Sequence, residues 1–245
     1  MDRTQAAHYY STQYPERQRD PAEFFREQAD QNAPQYLARF IRPDMDILDY
    51  GCGPGGKLAG LASRGFRISG FDLNPLYLEF AESRGLRRVA QGRQFDLIYL
   101  SHTLEHWTDL AEDLQNILQS FVRPGGTVAI EVPLLDRLLL GGRRDGIHGD
   151  LYFVHIWYFS VRSLDKLMNS LGCRRVHTDR LTLCVYTFEG IPEGRTVAAT
   201  PLYDAGLRTL IAVCSNPIAA VGAGLINRVI RYIDLSAAAR LNPKP

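Results

Sequence analysis

The feature that most constrains the fold of this chain is a glycine-rich segment, DYGCGPGGKL at residues 49–58, that directly follows a short apolar run. Further apolar runs lie at 66–72, 95–101 and 127–133, with helix-like segments between them. This alternation predicts an α/β fold with a doubly wound parallel sheet, because parallel strands need helical crossovers. Two last runs, 173–179 and 183–189, share a short connection and predict an antiparallel hairpin at the end of the sheet.

Three nucleotide-binding patterns overlap in the glycine-rich segment. They are the G-x-G-x-x-G of dinucleotide folds, the G-x-x-x-x-G-K of a P-loop, and the D-x-G-x-G-x-G of an S-adenosylmethionine (SAM) site. A P-loop needs Ser or Thr after its lysine to coordinate Mg²⁺, and Leu58 occupies that position. The P-loop is therefore disfavoured, which leaves a dinucleotide site, a SAM site, or a glycine turn without a ligand.

Two carboxylates near the glycines discriminate between the remaining ligands. Asp72 ends the second apolar run, at the distance expected for an acid that binds ribose hydroxyls. Asp49 precedes Gly51 by two residues, where it would repel a pyrophosphate but attract the ammonium and sulfonium groups of SAM. The charges therefore favour SAM, and an NAD-binding oxidoreductase remains the alternative.

Four segments, DILDYGCGPGG, GFDLNP, FDLIYLSHTLEHW and RPGGTVAIEVP, together resemble class I SAM-dependent methyltransferases. The resemblance covers about residues 45–133 and, more loosely, 147–188, and it implies a Rossmann-like methyltransferase sheet. With the charge argument for Asp49, the expected cofactor-binding residues are Asp49, Gly51, Gly53, Gly55, Asp72, Leu73, Ser101, His102 and Tyr14. The family often has an acidic residue after its third strand that binds adenine, and no residue of LRRVAQGRQ is assigned that role.

The stretch HTLEH, residues 102–106, also matches the H-x-x-E-H motif of inverted zinc peptidases. A peptidase would need this stretch inside a helix and a further ligand downstream. Here it directly follows a buried strand, so a zinc peptidase is disfavoured and His106 is expected to be structural. No metal ligand is predicted, since the spacing of His148, Asp150 and His155 matches no metal-binding motif either.

The segment HGDLYFVHIWYFS, residues 148–160, resembles a stretch near the acceptor pocket of methyltransferases related to ubiquinone-biosynthesis and sugar-modifying enzymes. A hydroxyl acceptor benefits from a general base, and histidine titrates near neutral pH. We expect His155 or His148 to be this base, with His102 as the third candidate. An aromatic lid over the sheet is the alternative role of the segment.

The chain of 245 residues is predicted to contain an N-terminal helical cap (1–44), the methyltransferase domain (45–190) and a C-terminal apolar helical extension (191–245). A net charge of +1 gives no argument for a nucleic-acid partner. The widely spaced cysteines and the absence of an apolar leader fit a cytoplasmic location. The uncharged stretch 209–227 predicts buried helices or, through residues 207–233, peripheral contact with a membrane.

These patterns predict an enzyme that transfers a methyl group from SAM to a hydroxyl of a small or glycosylated metabolite. A lipid-linked acceptor would suit the C-terminal apolar segment. The alternative from another functional class is a catalytically silent accessory protein that binds SAM without turnover.

Overall fold

The computed structural model describes residues 19–31, 37–90, 92–134, 155 and 157–192. Predictions that concern Tyr14, His148 and nearly all of the C-terminal extension lie outside these residues. The boundaries of the three predicted domains therefore stay predictions.

The described residues form a seven-stranded sheet with helices packed around it. The helices are α1 (Pro21–Gln31), α2 (Ala59–Ala62), α3 (Pro75–Ser83), α4 (Leu110–Phe121) and α5 (Val161–Ser170). The strands are β1 (Asp46–Tyr50), β2 (Arg67–Phe71), β3 (Arg87–Arg88), β4 (Phe95–Ser101), β5 (Val122–Glu131), β6 (Cys173–Thr178) and β7 (Leu183–Phe188). Short 3₁₀ turns lie at Leu37–Phe40 and Leu104–His106.

The strand order is β3-β2-β1-β4-β5-β7-β6. The first five strands pair in parallel, while β7 pairs antiparallel with both β5 and β6. The predicted α/β sheet with an antiparallel C-terminal hairpin is therefore confirmed. The chain order reverses between β1 and β4, and a doubly wound sheet binds its ligands at such a switch point, beyond the carboxyl ends of the strands.

The core lies on both faces of the sheet because successive side chains of a buried strand point to opposite faces. On β4, Ile98 and Leu100 join one apolar cluster, which includes Leu114 of α4. Leu97 and Tyr99 join a second cluster on the other face. All five of these side chains are fully buried, so the central strand is held rigidly and its carboxyl end has a fixed position.

Two elements differ from the sequence-based expectation. The sequence from 58 to 64 suits a helix, with Gly65 as its C-terminal cap, but the helix in the structure spans only Ala59–Ala62. The composition of the RPGG stretch, residues 123–126, predicts a turn before the strand at 127–133, whereas the structure includes these residues in β5. Its extra residues form an irregularity in the pairing of β4 with β5, between the pairs Phe95–Val122 and Leu97–Thr127, and Gly125 supplies the positive φ of 80°. The strand therefore begins at Val122, before RPGG, and the pairing with β4 is interrupted at these residues.

Helix α5 begins with a capping serine, Ser160. Ser160 accepts a hydrogen bond from the backbone N–H of Ser163, and the Ser163 side chain accepts one from the Ser160 N–H. This reciprocal capping satisfies two backbone donors at the helix start. Among the described helices, none has the length and apolar character that crossing a membrane would require.

Candidate active site

The glycine loop folds back over the carboxyl end of β2. The backbone N–H groups of Gly51 and Cys52 donate to the Phe71 carbonyl oxygen at 2.7 and 3.0 Å. Gly51 has a φ of 83°, and a Cβ there would lie 2.6 Å from Thr103 Oγ1, in the turn after β4. Glycine is therefore required both by the backbone conformation and by the space available. The loop is held between the ends of β2 and β4, at the switch point of the sheet.

Asp72 is positioned by the backbone at the rim of this loop. Its Oδ2 accepts a hydrogen bond from the Gly53 N–H at 2.8 Å, and its Oδ1 accepts one from the Asn74 N–H at 2.7 Å. The neighbouring Leu73 side chain is 51% exposed. The structure thus places a fixed carboxylate and an exposed apolar side chain at the expected position, while their contacts with ribose and adenine stay predictions.

Asp49 is a buried acid beneath the loop. Its side chain is only 1% exposed, and its Oδ2 receives no hydrogen bond from any described residue. Burial raises the pKa of Asp49 to about 7, with Asp72 and Glu131 acting in the same direction and Lys57 opposing them. An unsatisfied carboxylate oxygen beside a glycine cradle fits a cationic ligand, because a positive charge there would favour the ionised form.

Lys57, the lysine of the disfavoured P-loop pattern, lies in a buried polar network. Its Nζ is 3.5 Å from Glu131 Oε2 at the end of β5. The same Glu131 oxygen accepts hydrogen bonds from Tyr99 and, at 2.9 Å, from the Ser101 hydroxyl. Burial would raise the pKa of Glu131, but the charges of Lys57 and His102 and these hydrogen bonds hold it below its usual value.

Sequence reasoning missed the pair of Lys57 and Glu131, although an acid inside the apolar run TVAIEVP was a signal for a buried partner. It placed Ser101 correctly at the end of β4, but the Ser101 hydroxyl is committed to Glu131. A direct contact of Ser101 with the cofactor stays a prediction.

Helix α1 covers the loop from the other side. Buried Gln28 accepts a hydrogen bond from the Gly56 N–H at 3.0 Å. A Cβ at Gly56 would lie 2.3 Å from the Phe25 carbonyl oxygen, so helix and loop are in close contact. Sequence reasoning also missed this contact, since Gln28 belongs to no motif and the two residues lie far apart in the chain.

The HTLEH stretch does not form the single helix that a zinc peptidase needs. His102 has a φ of 49°, and its backbone N–H donates to the Glu131 carbonyl oxygen at 2.8 Å. Only Leu104–His106 form a 3₁₀ turn. The His102 side chain is 45% exposed, and its Nδ1 lies 3.3 Å from Glu105 Oε1. The surrounding protein partly desolvates the imidazole, which would lower the pKa of His102, but the hydrogen bond and charge of Glu105 raise it above its usual value.

Glu105 also lies next to His155. The distance from His155 Nε2 to Glu105 Oε1 is 4.0 Å, and the His155 side chain is 10% exposed. Burial lowers the pKa of His155 to about 4, with His106 and His102 acting in the same direction and Glu105 opposing them. His155 is therefore neutral near pH 7, the form that can accept a proton or bind a cation.

The structure thus brings the predicted residues into two groups at the carboxyl edge of the sheet. The cofactor group follows β1 and β2, and it contains Asp49, Gly51, Gly53, Gly55 and Asp72. The histidine group lies beyond the end of β4. There, a ring nitrogen of His102 and one of His155 each lie within 4.0 Å of Glu105 Oε1. Glu105 is not among the site residues predicted from the sequence, and its contact with both histidines was missed because His155 is 50 residues away in sequence.

Known proteins resemble this chain in both sequence and fold. A family model described as "Methyltransferase domain" matches residues 22–178. Trans-aconitate 2-methyltransferase of Enterobacter sp. (strain 638) is 36% identical over 115 residues, covering 41% of this chain and 44% of that protein. The crystal structure of magnesium protoporphyrin IX methyltransferase from Synechocystis PCC 6803 with bound SAM has a TM-score of 0.51. It is 12% identical, and the match covers 76% of this chain and 96% of that chain.

These matches differ in what they show. The chain spans less than half the length of the curated relative that it matches, and the similarity to the solved structure shows the fold alone. The family model covers well over half of the chain, from α1 to β6. The predicted family and cofactor are thereby confirmed: the chain belongs to the methyltransferase domain family, whose cofactor is SAM.

Proposed function

We propose that this chain transfers a methyl group from SAM to a hydroxyl group of a small or glycosylated metabolite. Family membership supports methyl transfer and makes an NAD-dependent oxidoreductase the weaker hypothesis. The hydroxyl acceptor is inferred from the side chains of the site, and it rests on the histidine group after β4.

The cofactor group fits a ligand with positive charge and a ribose. Gly51 and Gly53 have positive φ values that suit a tight loop around a ligand, and Asp49 Oδ2, which no described residue hydrogen-bonds, offers a buried acceptor to a cationic group. Asp72 is a carboxylate fixed by two backbone N–H groups at the rim of the loop, and a carboxylate can accept hydrogen bonds from ribose hydroxyls. When bound, SAM supplies an electrophilic methyl group, and the protein must hold the acceptor oxygen about 3 Å from it and in line.

The observation that carries the hydroxyl assignment is the pairing of neutral His155 with buried Glu105. A neutral imidazole can accept the hydroxyl proton, and the nearby carboxylate stabilises the imidazolium that forms. Amine acceptors need no such base when they react in the neutral form. His102 is the weaker candidate because its raised pKa keeps it protonated to a higher pH. His148, the other predicted base, lies outside the described residues.

The relative from Enterobacter is, by its name, a trans-aconitate 2-methyltransferase, and the substrate in that name is a small molecule. This supports a small-molecule acceptor for this chain. The proposal includes sugar-linked and lipid-linked acceptors, and also membrane contact through residues 207–233. The support for these parts comes from the sequence alone.

Calorimetry and methyl transfer together test the proposal. Titration with SAM and with S-adenosylhomocysteine should show binding in the micromolar range or tighter. Transfer of labelled methyl from SAM is then measured with matched hydroxyl, amine and carboxylate acceptors, and we expect only hydroxyl compounds to be labelled. If neither SAM nor S-adenosylhomocysteine binds, the hypothesis of a SAM-dependent enzyme is rejected. Binding without transfer to any acceptor would favour the hypothesis of a catalytically silent accessory protein. Labelling of amines alone or of carboxylates alone would reject the hydroxyl assignment.

A variant pair tests the base. His155→Ala is expected to lower turnover by about 100-fold or more, the range typical of general-base catalysis, with little change in SAM affinity. His177→Ala is the matched control, because His177 lies on β6 and contacts the Phe40 ring instead of the site. Unchanged turnover in His155→Ala would remove the base assignment without affecting the cofactor site.

A further inference from the structure

Three side chains with metal-ligating atoms converge next to the histidine group, although the sequence spacing predicts no metal ligand. Glu105, His106 and His155 each place one ligand atom within 4.8 Å of the other two. The rings of His106 and His155 lie 5.0 Å apart, and His155 Nε2 is 4.0 Å from Glu105 Oε1. These residues form the Glu105 cluster.

Backbone and side-chain contacts hold the two halves of the Glu105 cluster together. Glu105 and His106 are adjacent on the 3₁₀ turn after β4. His155 comes from the distant segment before α5, where the Trp157 N–H donates to the Glu105 carbonyl oxygen at 3.1 Å. The Trp157 indole Nε1–H donates to the Trp107 carbonyl oxygen at 2.5 Å. The convergence is therefore built by the packing of the segment against the turn.

One oxygen of the Glu105 carboxylate is available to coordinate a cation. Its Oε1 lies 3.3 Å from His102 Nδ1, but its Oε2 is buried and receives no hydrogen bond from any described residue. Glu105 as a whole is only 1% exposed. A buried carboxylate oxygen without a donor is unusual in a folded protein, and a cation would satisfy it.

We propose that Glu105, His106 and His155 form a binding site for a divalent transition-metal cation such as Zn²⁺. Two imidazoles and one carboxylate are a ligand set that zinc accepts, and three protein ligands leave a further position open. Ligand atoms about 2.1 Å from a tetrahedral ion lie about 3.4 Å apart, so the side chains must close by about 1 Å. His106 and His155 are both incompletely buried, which gives their rings room for this adjustment.

This site is distinct from the H-x-x-E-H peptidase motif. That motif uses both histidines as ligands on one helix, whereas here His102 precedes the turn and the second histidine ligand is His155. The binding proposal does not depend on methyl transfer. Since a cation would take up an imidazole nitrogen, His155 acts as a general base only while the cation site is empty.

The test is metal binding by the full chain, without an affinity tag that contains histidine and after removal of metal with a chelator. Zn²⁺ is titrated by calorimetry, and Co²⁺ by visible absorption. We expect one equivalent of each ion to bind saturably at micromolar concentration or below. The Co²⁺ spectrum should show nitrogen and oxygen ligation without a thiolate charge-transfer band. If Zn²⁺ does not bind saturably, or if the Co²⁺ spectrum shows a thiolate band from cysteine ligands, the proposal is overturned.

Variants then locate the ion. Glu105→Gln, His106→Ala and His155→Ala should each weaken Zn²⁺ binding by more than about tenfold, the loss that even a second-shell partner can cause. His177→Ala on β6 serves as the matched control and should bind Zn²⁺ like the unmodified chain. Circular dichroism and thermal melting check that each variant is folded. Folded His106→Ala and His155→Ala variants that retain full Zn²⁺ affinity would place the ion elsewhere and overturn the proposal. Because neither SAM nor an acceptor is present, this result is independent of the proposed function.

Discussion

Gln28 accepts a hydrogen bond from the backbone N–H of Gly56 at 3.0 Å, and this contact ties helix α1 to the glycine loop. A Cβ at Gly56 would lie 2.3 Å from the Phe25 carbonyl oxygen and 2.6 Å from Gln28 Cβ. The Phe25 carbonyl oxygen is a backbone atom of the helix, so it cannot move aside as the end of a flexible side chain could. Gly56 is therefore a position where helix and loop permit no side chain.

We predict that Gly56→Ala displaces α1 and lowers SAM affinity by about tenfold or more, as small displacements of binding groups do. Gly60→Ala is the matched control, since nothing lies within 4 Å of its added Cβ and it is inside helix α2. That control should keep SAM affinity and gain up to about 1 kcal/mol of stability from helix propensity. Calorimetry and thermal melting measure both effects. Equal SAM affinity of the two variants would show that α1 does not shape the site.

The raised pKa of Asp49 predicts that SAM binding depends on pH. Its pKa of about 7 means that lowering the pH below 7 protonates the buried carboxylate before the ligand binds. A cationic ligand favours the ionised form, so binding must release that proton. We expect SAM affinity to fall as the pH drops from about 8 to about 6, approaching tenfold per pH unit below the pKa.

The neutral variant Asp49→Asn should bind SAM weakly and lose this pH dependence. Asp44→Asn is the control, because the Asp44 side chain is exposed on the surface and should leave the pH profile unchanged. Calorimetric titration at several pH values measures both. A pH profile that persists in Asp49→Asn would assign it to another group.

Asp72 predicts a second loss of cofactor affinity, one that acts through the loop and the ribose contact. Its two oxygens each accept one backbone N–H, from Gly53 and Asn74. In Asp72→Asn, one of these N–H groups faces an amide NH₂ and loses its acceptor, which loosens the loop as well as the contact with the ribose. SAM affinity should fall by about tenfold or more, and titration with NAD should show no binding in either protein. NAD binding that disappears in Asp72→Asn would revive the oxidoreductase hypothesis.

The cofactor group could be predicted because short stretches of sequence identify its residues. Asp49, Gly51 and Asp72 each follow or end an apolar run, so their place at the carboxyl edge follows from the strand pattern alone. Their close contacts, such as the Gly53 N–H with Asp72, then follow from the pairing of β1 with β2.

The remaining contacts join residues that are far apart in the chain and belong to no pattern. Lys57 meets Glu131 across 74 residues, and Glu105 meets His155 across 50 residues. Which side chains meet there depends on how α1 and the segment before α5 pack on the sheet, and hydrophobic periodicity does not specify this. The extension of β5 through RPGG was missed for a related reason, since a bulge and a turn use the same residue types.

Glycines after two helices allow backbone strain to be separated from steric conflict. Gly85 follows α3 with a φ of 96°, and Gly172 follows α5 with a φ of 74°. A Cβ at Gly85 would meet nothing within 4 Å, whereas one at Gly172 would lie 1.8 Å from the Gly190 carbonyl oxygen. Gly85→Ala therefore measures the strain of a left-handed alanine alone, about 1 kcal/mol of unfolding free energy.

Gly172→Ala adds displacement of the chain around Gly190, where the Glu189 N–H also donates to the Gly172 carbonyl oxygen at 2.8 Å. We predict a loss of about 2 to 4 kcal/mol for this variant, as strain and overpacking combine. Urea unfolding followed by circular dichroism measures both variants under the same conditions. Equal losses at the two positions would show that the segment after β7 does not pack against the end of α5 as the structure places it. A larger loss at Gly172, with SAM affinity kept in the folded protein, would show that this contact stabilises the hairpin edge of the sheet independently of the cofactor site.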